Sequence, residues 1–227
     1  FRTLRSVYNK AIKRKCVGKE YYPFEDFHIN KFNVHTDKRA ISKNDVLKII
    51  SADLTGKSEY VKFSRDIFVF SYLCGGINFC DVASLTKENI LNGRLFYVRQ
   101  KTGKQINLCL TKNASAIIDK YYKGGKGFLF PILDVTRHIT ATQRENRLHK
   151  VLGQVDKSLK IVAQIAKVDV NLTTYVARHS YATVLKRSGV PTSIICESLG
   201  HSSERVTQIY LDSFENKQLD EAMKNLL

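Results

Sequence analysis

Arg178, His201, Tyr210, Lys101, Arg99 and Tyr175 are the side chains whose types and spacing suit chemistry at a phosphate. Arg178 opens the run Arg178-His179-Ser180, His201 closes Leu199-Gly200-His201, and Tyr210 lies nine residues beyond His201. Arginine suits an anionic reaction because its planar fork grips phosphate through paired hydrogen bonds and never loses its charge. A phenol with a pKa of about 10 is a poor nucleophile at neutral pH. It needs fixed positive charge and donors aimed at the oxygens that become negative. A lysine can pass a proton to a leaving oxygen. His201 follows Gly200, a helix stop, so its ring is expected to project from a turn. Arg94 to Lys101 and Gln105 to Leu110 read as two strands joined by a tight turn at Thr102-Gly103. Strand period then places Tyr97, Arg99 and Lys101 on one face and Phe96, Val98 and Gln100 on the other.

The run Tyr175-Val176-Ala177-Arg178-His179-Ser180-Tyr181-Ala182-Thr183, followed by Leu199-Gly200-His201 and Tyr210, resembles the catalytic domain of the tyrosine recombinase (phage integrase) family. The type is that of mobile-element integrases. Lys101-Thr102-Gly103-Lys104 resembles the lysine-bearing strand turn of that family, and the resemblance covers roughly residues 38–227. It implies attack by a tyrosine hydroxyl on a DNA phosphodiester, leaving a covalent 3′-phosphotyrosyl link and a free 5′-hydroxyl. Bond energy stays in the link, so no cofactor is implied. In these terms Tyr210 is the nucleophile, Arg178 clamps the phosphate, His201 hydrogen-bonds it and Lys101 is the general acid. His179 is the buried structural histidine beside the arginine.

Two positions depart from the family pattern. Tyr175 stands where a histidine belongs, three residues before Arg178. A phenol can donate a hydrogen bond to phosphate but is no base at neutral pH. Asn78 occupies the slot of the family's first arginine, three residues before Asp81, and reads equally well as a helix N-cap. Arg99 is the candidate replacement, because a shared strand face would point it wherever Lys101 points.

The elements that must position these groups are mostly helical. Residues 4–12 show a basic helix with one apolar stripe, ended by Gly18. It reads as the last helix (1–18) of a truncated core-binding domain, and 19–37 as a linker around Pro23. The chain opens without Met, so part of the natural protein is expected to precede it. A catalytic domain then spans 38–227. Ser42 to Asp45 starts a helix like a capping box, with Val46, Leu47, Ile49 and Ile50 on one face. An apolar helix runs to Leu73 and stops at Gly75-Gly76, and a short one follows Asn78. Helices are expected over Thr111–Tyr122, Thr140–Ala166, Thr173–Ser188, Pro191–Leu199 and Ser203–Tyr210, with an amphipathic tail over 214–227. The fold class is mainly α with a small antiparallel β-sheet (α+β), of the tyrosine recombinase catalytic-domain type.

The composition agrees. Of 227 residues, 43% are hydrophobic and 26% charged, enough for a sizeable core. No apolar run approaches the roughly 18 residues that a membrane span needs. Five cysteines, odd in number and without CxxC spacing, argue against a disulfide framework or a zinc site. The net charge of +16 points to nucleic acid. The expected partners are double-stranded DNA, further copies in a dimer or tetramer synapse, and accessory DNA-bending proteins, with no membrane. The expected place is the cytoplasm of a bacterial cell, on the nucleoid. The competing readings are a catalytically impaired relative, a helix-turn-helix regulator built on Thr173–Leu199, and a topoisomerase with the same tyrosine chemistry.

Overall fold

The computed structural model describes residues 1–27, 40–125 and 127–211, with the side chains of Arg2, Ile209 and Tyr210 outside the described set. The chain divides into two compact units, Phe1–Lys38 and Arg39–Leu227. In the first, helix α1 spans Arg2–Lys13. It does not stop at Gly18, whose φ of −70° is ordinary. Lys15 takes the left-handed turn instead, at φ 58°. The Lys15 and Cys16 N–H groups then donate back to Ile12 O and Ala11 O, each at 2.9 Å, and satisfy the last carbonyls of the helix. Within the stretch read as a linker, Phe24 is buried, with Tyr8, Tyr22 and Phe27 packed against it edge-on. The rest of that stretch, from residue 28, lies outside the described residues.

The second unit is organised around α3, Glu59–Leu73. Ile67, Phe68, Val69 and Phe70 are all buried, so this helix is apolar on several sides, as a central core helix must be. Around it pack α2 (Lys43–Ser51), α5 (Lys112–Tyr121), α6 (Ala141–Ile165) and α7 (Thr174–Arg187). Ser42 caps α2 by accepting the Asp45 N–H at 3.1 Å, and its hydroxyl donates to the Asp45 carboxylate at 2.7 Å. Val46 and Ile49 face the core, but Leu47, expected beside them, is 50% exposed. The 3.6-residue period carries it away from its neighbours. Thr140 and Gln143 form a reciprocal capping box at the start of α6. From there Val151, Val155, Leu159 and Val162 make a buried stripe.

α4 (Phe79–Ala83) leads into three antiparallel strands, β1 (Ile90–Leu91), β2 (Arg94–Val98) and β3 (Gln105–Cys109), in the order β1-β2-β3. Leu95, Tyr97 and Ile106 form the buried face. α8 (Thr192–Ser198) and α9 (Glu204–Tyr210) close the described chain. Ala182, Ile195, Leu199 and Leu211 make a small second core that joins α7 and α8 to the end of α9. The architecture is mostly helical with one small antiparallel sheet, as expected. No helix among the described residues is long and apolar enough to cross a membrane. The expected tail over 214–227 lies outside the described residues.

Candidate functional site

Arg178 sits in the second turn of α7 with 1% of its surface exposed, the largest fully buried side chain described. A buried guanidinium must be hydrogen-bonded and electrically balanced. Its Nη1 donates to Gly76 O at 2.8 Å, and its Nη2 donates to Leu199 O. Gly76 belongs to the turn after α3, where the Ser71 hydroxyl holds Ile77 O at 2.7 Å. Gly76 has φ 64°, and a Cβ there would lie 2.9 Å from Arg178 Cα, so both conformation and space require glycine. Ser180, two residues along α7, donates to Val176 O and accepts the Ile41 N–H, tying α7 to the start of the unit.

Arg99 approaches the same place from the sheet. It is 3% exposed, and its Nη1 donates to Gly200 O at 2.8 Å. Thr102 Oγ1 donates to that same carbonyl at 3.0 Å. The two arginines therefore grip successive carbonyls, those of Leu199 and Gly200, immediately before His201. Lys101 does not share their orientation. β2 ends at Val98, and Arg99 to Lys104 form a loop closed by Arg99 N–H to Lys104 O and Gly103 N–H to Arg99 O. The alternation Leu95, Tyr97, Arg99 continues inward, but past Arg99 the chain turns and Lys101 is exposed. The predicted common face fails because the tight turn is longer than two residues. Lys101 still lies near enough for its charge to act on His201.

His201 is 2% exposed, and its Nδ1 lies 2.9 Å from Thr207 Oγ1. Burial, then the charges of Arg178, Arg99, Lys101 and Lys104, push its pKa down to about 3. The ring is therefore neutral near pH 7. Its turn position after Gly200 matches the expectation, with φ 61° at that glycine. Asp81 is the acid of the cluster. It is buried on α4, its Oδ1 accepts the Gln100 N–H at 3.0 Å, and Arg99 and Arg178 both act on its charge. Burial raises its pKa, against the lowering by that N–H and the two arginines. One carboxylate against two guanidiniums leaves a cationic excess in a dry site, the setting that favours a phosphate.

Asn78 occupies the N-cap position of α4, yet its side chain makes no capping bond. The capping role read from the sequence is corrected to a positional one. Asn78, Gln100 and Tyr175 instead line a groove of about 800 Å³ between α4, the hairpin loop, α6 and the start of α7. Tyr175, 39% exposed, packs edge-on to His179 with ring centroids 4.6 Å apart. The Asp156 carboxylate on α6 caps α7 by accepting the Thr174 N–H at 2.8 Å. Tyr210 is the last residue of α9, and its side chain lies outside the described set. Leu211, next to it, is buried in the second core, and Thr207, three residues before it, is fully buried.

The structure thus unites Arg178, Arg99 and His201, with Lys101 in electrostatic reach. Sequence reasoning missed three partners. Asp81 served only for counting back to Asn78. Thr207 and Thr102 gave no signal, because a threonine that bonds a site residue looks like any other. Among the described residues no group of three or more His, Cys, Asp or Glu could hold a metal ion.

Residues 39–217 match the model of the phage integrase family. The tyrosine recombinase XerA of Pyrococcus horikoshii is 26% identical over 215 residues, covering 91% of this chain and 70% of that protein. The tyrosine recombinase XerS of Streptococcus pyogenes is 25% identical over 171 residues, covering 71% of this chain but 45% of that protein. Among solved structures, the Tn1549 transposon integrase in complex with circular intermediate DNA superposes with a TM-score of 0.62 at 16% identity. It covers 100% of this chain and 78% of that one, a likeness of fold.

Proposed function

This chain belongs to the phage integrase family, and on that premise we propose that it is a site-specific DNA recombinase that cuts and rejoins strands through a covalent tyrosine link. The Tyr210 phenolic oxygen attacks the scissile phosphorus as its proton passes to water, the bond to the 5′ oxygen breaks, and a 3′-phosphotyrosyl bond forms. The leaving 5′ oxygen takes a proton from Lys101. Rejoining reverses the step with a 5′-hydroxyl from the partner strand, so the number of phosphodiester bonds is conserved and no cofactor is consumed.

One observation supports this reading above the others. Arg178 and Arg99 come from elements 79 positions apart and converge on the carbonyls of Leu199 and Gly200, next to His201. Arg178 clamps the non-bridging oxygens, and Arg99 supplies the second guanidinium that Asn78 does not. Neutral His201 donates a hydrogen bond, which costs no deprotonation at working pH. Tyr175, at the rim of the groove, donates from its hydroxyl. The net charge of +16 supports double-stranded DNA as the partner. The solved relatives include a lambda integrase dimer bound to a core site, and this chain is proposed to assemble likewise on DNA, with accessory DNA-bending proteins. The proposed setting is integration or excision of a mobile element in a bacterial cell.

A nicked suicide DNA substrate tests the reading. The protein is expected to form a covalent adduct that is resistant to denaturant and absent in Tyr210→Phe. Tight binding with no adduct would overturn it in favour of a regulator that reads DNA with α7 and α8. Strand transfer between two duplexes separates a recombinase from a topoisomerase.

A further inference from the structure

Thr207 stands on α9 three residues before Tyr210. Its side chain is fully buried, and its Oγ1 lies 2.9 Å from His201 Nδ1. Among the described residues this is the one hydrogen bond that the Thr207 hydroxyl makes. Two proton arrangements fit a 2.9 Å separation. In the first, the hydroxyl donates to the Nδ1 lone pair and the ring proton sits on Nε2. In the second, Nδ1–H donates to the hydroxyl oxygen, and the hydroxyl proton is left buried with nothing to receive it. Leaving a buried donor unsatisfied costs roughly 1–3 kcal/mol, and at the Thr207 hydroxyl that cost falls on the second arrangement alone. The same depth of burial, with four cations acting on the ring, removes the doubly protonated form from consideration.

We propose that Thr207 is the positioning residue for His201: its hydroxyl fixes the neutral tautomer that carries its proton on Nε2. Nε2–H is then a donor, the form required by a group that hydrogen-bonds a phosphate oxygen. The alternative tautomer would turn a lone pair toward that oxygen and repel it. The bond also ties the helix that ends in Tyr210 to the turn that carries His201, so nucleophile and donor move as one piece. The assignment of the donor to phosphate rests on the recombinase reading above. The assignment of the tautomer does not.

The experiment keeps the two apart. Protein labelled with ¹⁵N-histidine is examined by NMR at neutral pH, with His201 assigned by its loss in His201→Gln. The expected spectrum shows a protonated Nε2 and a bare Nδ1 in the wild type and in Thr207→Ser, and loss of that signature in Thr207→Val. A wild-type ring protonated on Nδ1 would overturn the proposal whatever the protein does to DNA. In the suicide-substrate assay, Thr207→Val is expected to form adduct on the order of 10- to 100-fold more slowly with unchanged DNA affinity. Thr207→Ser is expected to restore the rate to within a few-fold. Adduct formation at the wild-type rate in Thr207→Val, or equal loss in both variants, sinks the positioning role. No adduct from the wild type would instead sink the recombinase reading and leave the tautomer to be decided by the spectra.

Discussion

A guanidinium sealed from solvent is held only as firmly as the groups around it, and Arg99 has an acceptor and a counter-charge. Gly200 O takes its Nη1, and Asp81 answers its charge. Among the described residues its buried Nε has no acceptor, a donor that an incoming oxyanion would satisfy. This is the residue-scale case for Arg99 as the second phosphate clamp. Arg99→Ala is expected to lower suicide-substrate cleavage by at least ~10²-fold, the size seen when one transition-state donor is removed. Binding to intact duplex should remain largely as it was. Because Arg99→Ala also strips Asp81 of a counter-charge, Arg99→Lys is the cleaner companion. It keeps the charge and loses the fork, so it should bind DNA normally and cleave slowly. Wild-type cleavage in either variant would refute the role.

Elements deliver these side chains through their ends. Gly76 terminates the α3 turn against Arg178, and Gly200 terminates α8 against Arg99 and Ile106. Both have positive φ, and both offer the carbonyl that an arginine holds. Gly103, at the hairpin tip, has a similar φ of 66° but nothing within 4 Å of a built Cβ. The pair makes an internal control. Gly103→Ala should cost about 1–2 kcal/mol, the left-handed penalty alone. Gly76→Ala adds a clash with the Arg178 backbone and should cost about 2–5 kcal/mol in urea unfolding. Equal losses would mean that the α3 turn can move away from α7 at little cost.

Across the whole molecule, burying His201, with cations around it, has a price in acid. The folded state keeps His201 neutral down to about 3, whereas its ordinary value is 6.5. Between those values the unfolded chain binds a proton that the folded chain does not. The associated stability is therefore full above 6.5 and drains as pH falls toward 3. Urea midpoints measured from neutral to mildly acidic pH should fall more steeply for the wild type than for His201→Gln, which has no such proton to bind. Parallel curves would show that His201 is not buried among the cations in solution. The net charge of +16 draws the molecule toward a polyanion.

Local pattern determined much of this protein before any coordinates. The helix periods, the Gly75-Gly76 and Gly200 stops, the Ser42 cap, and the spacing of Arg178, His201 and Tyr210 all depend on short-range rules. Those rules act within a turn or two of chain, which is why they can be read from neighbours alone. Tertiary structure alone decided what crosses the chain. It parted Arg99 from Lys101, because a hairpin loop is shaped by hydrogen bonds that a strand period does not contain. It denied Asn78 a capping bond, and it set Asp81 beside Arg99, Gln100 and Arg178, groups it is far from in sequence. Burial is the physical reason for this division. Whether a guanidinium, a carboxylate or a hydroxyl becomes part of a site depends on which distant elements exclude water from it, and no local pattern records that.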